Sequence, residues 1–186
     1  MFRLLKVGRV VAVLGLLAVV ASLAQGQVIN SAARPIALNA TLSEGISLSL
    51  SANAVNFALT GGSANNPGST SITATTSWTL RPNRGSLSVY AFFSSSAAAL
   101  TDGAGNNIPS SAFSISNNGG AFLALVNTVP FGGANAGRLL SNTPILGNNK
   151  TGTRTDLMLF NINLTGVPNL PGGTYTGILT IQAQAI

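Results

Sequence analysis

The chain has 186 residues, no cysteine and no histidine, and only 6% of it is charged, with nine bases against three acids. No disulfide, thiolate nucleophile or imidazole base can form, and zinc, haem and iron–sulfur sites lose their usual ligands. What is left is a largely apolar and hydroxyl-rich chain, long enough to bury a core as one domain.

Residues 1–9 carry Arg3, Lys6 and Arg9 and no acid, Val10 to Val20 is almost wholly apolar, and Ala21-Ser22-Leu23-Ala24 places small residues at the exit. A basic start, an apolar middle and a small-x-small end make a secretory signal, expected over 1–24 with cleavage after Ala24. The apolar run falls short of the ~20 residues a spanning helix needs. Residues 25–186 then form the expected single domain, secreted, periplasmic or held at the cell surface. Neither a lipid-modified cysteine nor an apolar C-terminal anchor is expected. Its bases, Arg34, Arg81, Arg84, Arg138, Lys150 and Arg154, are scattered. Nucleic-acid binding needs a clustered basic face, so none is expected.

Along the remaining chain, period-two alternation replaces helical periodicity. Ile36, Leu38 and Leu42 alternate with Asn39 and Thr41; Ile46, Leu48 and Leu50 alternate with serines. Ile72, Ala74, Thr76, Trp78 and Leu80 share a face, and the turn Arg81–Gly85 leads into Leu87, Val89, Ala91 and Phe93, with Tyr90 and Phe92 opposite. A short helical or irregular piece is placed near Ala97–Leu100, and long loops over Gly61–Thr70 and Phe131–Asn149. Phe113 and Ile115 precede Asn117-Asn118-Gly119-Gly120, a strong hairpin signal before Phe122 to Val126. Met158, Phe160, Ile162 and Leu164 form another face, and after Pro171-Gly172-Gly173 a long strand is expected from Tyr175 to the end. About eight to ten antiparallel strands at this turn spacing predict an all-β sandwich.

Chemistry-bearing groups are few. Glu44, Asp102 and Asp156 fall in separate segments and read as exposed acids rather than a catalytic pair. Lys150, the one lysine after the signal, lies in Gly147–Thr151, which reads as a solvated loop rather than a Ser–Lys site. No catalytic residue, cofactor site or metal site is predicted. The segment Thr101–Asn107 offers oxygen ligands to calcium, but one carboxylate is thin for a dication, and a plain turn is the simpler reading. Asn39, Asn149 and Asn163 each head an Asn-x-Thr triplet. Trp78 and Tyr90, on neighbouring strands, are candidates for stacking on sugar rings, with core packing the commoner fate of such rings.

The run Leu170-Pro171-Gly172-Gly173-Thr174-Tyr175-Thr176-Gly177-Ile178-Leu179-Thr180-Ile181 resembles the closing strand of bacterial secreted β-sandwich subunits: the spore coat protein U family and, more distantly, chaperone–usher pilins. Gly173, Tyr175 and Gly177 carry the likeness, and Gly173 stands fourteenth from the end, as the pilin glycine does. The chain departs from pilins in having no disulfide and in carrying Ala185 at the penultimate position. The resemblance implies an incomplete immunoglobulin-like sandwich completed by a strand from the next subunit, giving fibres of this chain or of other surface subunits. Ile36, Leu38 and Leu42 are then the donor-strand candidates. The leading expectation is a non-enzymatic structural or adhesive surface subunit of bacterial origin. The alternative is a secreted carbohydrate-binding module. An outer-membrane barrel fits less well, because aromatic girdles are missing and many strand faces are serine-rich.

Overall fold

A computed structural model describes residues 30–186. The expected signal and its cleavage point lie outside the described residues. The chain divides into two units, residues 1–41 and 42–186. Within the first, Asn30–Thr41 forms no strand. This corrects the expectation of a strand over Ile36–Leu42: alternation makes a segment fit to pair, but a lone strand has neither ladder nor covered face to hold it.

The second unit is all-β and antiparallel. Its strands are β1 (Gly45–Leu50), β2 (Asn66–Pro67), β3 (Ile72–Thr79), β4 (Ser86–Phe92), β5 (Leu100–Thr101), β6 (Asn107–Ile108), β7 (Phe113–Asn117), β8 (Leu123–Ala124), β9 (Gly137–Pro144), β10 (Thr151–Ile162) and β11 (Thr180–Ala185). One sheet runs β1-β3-β10-β7-β8, with β2 paired to the end of β10; the other runs β11-β4-β9; β5 and β6 form a small ribbon.

Alternation builds the sandwich. Ile72, Ala74, Met158, Phe160, Ile162, Phe113 and Ile115 of the larger sheet meet Ala91, Phe93 and Ile181 of the smaller one in the main core. At one end Trp78 and Leu80 pack with Leu87 and Ile145 as a second cluster. Outward, β1, β3 and β10 carry hydroxyls in register, Ser47 beside Ser77 beside Thr153 and Ser49 beside Thr75 beside Thr155, with no charged side chain among them. The expected hairpin forms between β7 and β8, with Asn118 (φ 51°) and Gly119 (φ 77°) supplying the left-handed turn.

Four expectations are corrected. The loop assigned to 131–149 contains β9, and the loop assigned to 61–70 contains β2. The piece expected near Ala97–Leu100, helical or irregular, is irregular, and a single 3-10 turn stands at Ser110–Ala112. The last strand starts at Thr180, not Tyr175. Before it, Thr176 bridges Thr101 of β5, so Tyr175–Leu179 leaves β4 for the ribbon. Asp156 is fully buried.

Candidate functional site

Among the described residues β1 pairs only with β3, and β11 only with β4, so among them each has one edge without a neighbouring strand. These two edges face each other across the mouth of the sandwich, at Cα separations within 8 Å and without a ladder between them. Ile46, Leu48 and Leu50 share one face of β1; Leu48 packs against the main core, while Ile46 and Leu50 stay exposed.

The seam widens where both strands end. Beyond Leu50 and before Thr180 the chain leaves the sheets, and a groove of about 710 Å³ opens between them. Val55, Phe57, Phe93, Phe160, Tyr175 and Leu179 give it an apolar lining, and among the described residues no charged one touches it. Gly173, Tyr175 and Gly177, the residues of the C-terminal motif, are all on its wall. The Tyr175 hydroxyl donates to the Pro171 carbonyl at 2.8 Å, which holds the ring against the groove. Ile178 remains 82% exposed at the break between the ribbon and β11.

In the first unit, the residues expected to serve as donor strand are open. Ile36 is 84% and Leu38 90% exposed, and Leu42, at the start of the second unit, is 82% exposed. Bulky aliphatic side chains at alternate positions are thus left uncovered.

The three acids do not converge. Glu44 accepts the Arg81 backbone N–H and the Arg84 guanidinium. The Arg84 hydrogen bond first, then that of Arg81, pulls its pKa from 4.5 to about 2. Asp102 Oδ1 accepts the backbone N–H of Ala104 and Asn106, and its Oδ2 accepts Asn106 Nδ2. The Asn106 side-chain bond leads in holding that carboxyl below its ordinary pKa. This carboxylate is spent on its own turn, the plain reading of that loop. Asp156 lies between the sheets, where burial pushes its pKa up and the Arg154, Asn118 and Asn117 hydrogen bonds outweigh it, giving a net lowering. Among the described residues no three acids are grouped to hold a metal ion. Lys150 donates to the Pro82 carbonyl at 2.8 Å, tying its loop to the β3–β4 turn.

The aromatic pair is also separated. Trp78 is 7% exposed in the core, and its Nε1 donates to the Asn149 carbonyl at 2.9 Å. Tyr90 lies on the other sheet, outward, against Phe131 at a ring separation of 6.0 Å. The two cannot flank one sugar, because β3 turns Trp78 inward and β4 turns Tyr90 outward. Sequence reasoning missed the Phe131 contact, since that residue was assigned to a loop.

The chain matches no known family, curated protein or solved structure. No helix among the described residues is long and apolar enough to cross a membrane.

Proposed function

We propose that the protein is an exported structural subunit that assembles by strand exchange, Ile36–Leu42 of one copy filling the seam and groove of the next. The observation that carries this reading is the pairing of two unmet needs in one chain. An uncharged apolar groove opens where two strands with free edges end, and an alternating apolar segment stands uncovered. Free edges beside an apolar slot recruit an extended chain through main-chain hydrogen bonds, with alternate side chains entering the slot. The segment from Ile36 to Leu42 is uncharged, as the lining is, so entry requires no buried unpaired charge. The absence of histidine and cysteine and the separation of the three acids support a packing role over a catalytic one.

Removing Gln25–Leu42 tests this. The shortened chain is expected to remain monomeric in light scattering at concentrations where the chain from Gln25 onward forms large species, and to bind an added peptide spanning Ile36–Leu42 as a one-to-one complex that stays monomeric. Assembly unchanged by the deletion would overturn the reading.

A further inference from the structure

Leu42 is separated from Gly45, the first residue of β1, by Ser43 and Glu44 alone. The segment Ile36–Leu42 reaches the free edge of its own β1 most directly through a two-residue reversal. Such reversals take type I′ or II′ geometry, with positive φ at the first or both central residues, and favour Asn and Gly. Neither Ser43 nor Glu44 has positive φ.

Glu44 is held elsewhere. Its Oε1 accepts the Arg81 backbone N–H at 3.0 Å and Arg84 Nε at 3.0 Å, and its Oε2 accepts Arg84 Nη2 at 3.2 Å. Arg81 Nε adds an ion pair at 3.4 Å. Arg81–Gly85 is the turn carrying the chain from β3 in one sheet to β4 in the other. Glu44 is therefore fastened across the end of the sandwich, away from the unpaired edge of β1.

We propose that Glu44 is a positioning residue for assembly: its anchorage to Arg81 and Arg84 denies Ile36–Leu42 the turn onto its own β1, so that a second copy receives the segment. This rests on the strand-exchange reading above. One further feature fits it. The anchoring groups sit on a connection between the sheets rather than on a tail, so the hold is part of the domain itself.

The test replaces the anchor by a turn. Ser43→Asn with Glu44→Gly, in the chain from Gln25 onward, writes a type I′ reversal at this point. Light scattering is expected to show at least a tenfold fall in assembled species, with the amides of Ile36–Leu42 protected from hydrogen exchange in the resulting monomer. Glu44→Ala, which frees the anchor without supplying a turn, shifts both readouts in the same direction by a smaller factor and decides the matter if the double variant fails to fold. Full assembly of both variants overturns the positioning role while leaving strand exchange standing. A monomer whose Ile36–Leu42 amides exchange freely also overturns it, because assembly was then lost by another route. If the unaltered chain is monomeric with and without Gln25–Leu42, strand exchange itself fails and the role of Glu44 falls with it.

Discussion

Arg154 and Asp156 stand two residues apart on β10, both turned between the sheets, with Arg154 Nη2 donating to Asp156 Oδ1 at 2.8 Å. The same carboxylate accepts Asn118 Nδ2 at 2.8 Å from the β7–β8 turn and Ser141 Oγ at 3.2 Å from β9 in the opposite sheet. Asn117 Nδ2 adds a bond at 3.3 Å and also reaches the Leu140 carbonyl at 3.0 Å. A chain without cysteine thus ties its two layers with one buried carboxylate.

Asp156→Ala strips this tie and leaves Arg154, Ser141 and the Asn118 amide without this acceptor. It is expected to destabilise the fold by about 3 kcal/mol, the scale for removing one partner of a buried pair. Asp156→Asn, which keeps the shape and part of the hydrogen bonding, should lose less. Urea unfolding of the two variants beside the parent checks the order, and equal losses would contradict a charge-based tie.

Trp78 stands opposite Gly152 on the neighbouring strand, and a Cβ at 152 would lie 2.5 Å from Trp78 Cζ2. Gly152→Val is therefore expected to cost about 1–3 kcal/mol by overpacking and to shift the tryptophan emission to the red as the ring moves toward water. Thermal unfolding and an emission spectrum read both effects.

Because Trp78 is enclosed, its fluorescence should not respond to soluble or polymeric glycans. Any sugar-binding signal should instead follow Tyr90 and Phe131. A titration that quenched Trp78 while the fold stayed intact would contradict the placement of that ring.

Acid stability follows from three hydrogen-bonded carboxylates. Glu44 is lowered from 4.5 to about 2, and Asp102 and Asp156 are also lowered. A depressed folded-state pKa stabilises above the unfolded value and loses that contribution as pH falls through the folded one. The melting temperature should therefore be flat from neutral pH down to about 5 and fall progressively toward pH 2. Glu44→Gln and Asp156→Asn should each flatten that fall.

The strands that became legible from sequence are those whose alternation is unbroken. Ile72 to Leu80 and Leu87 to Phe93 alternate without interruption, and both became core strands. β9 was hidden by its own irregularity. Val89 pairs with Ser141 and Tyr90 with Leu139, so Leu140 is an extra residue and the adjacent leucines spoil the period. At the C-terminus alternation correctly marked a face but not a partner, since nothing in Tyr175–Leu179 announces that β5 rather than β4 will receive Thr176. Asp156 read as an exposed acid because its donors come from positions 117, 118 and 141, which only folding brings near. The seam and groove required coordinates, because they depend on which strands pair and which do not.

The hydroxyl rows on the outside of β1, β3 and β10 bear on how this protein meets its surroundings. Ser77 and Thr153 are joined at 3.0 Å, and this part of the sheet holds its water through alcohol groups rather than ions. Dissolved salt has little to screen on such a surface. Packing of neighbouring particles along it should thus be about as close in sea-strength brine as in fresh water, a tolerance that a charge-coated exterior lacks.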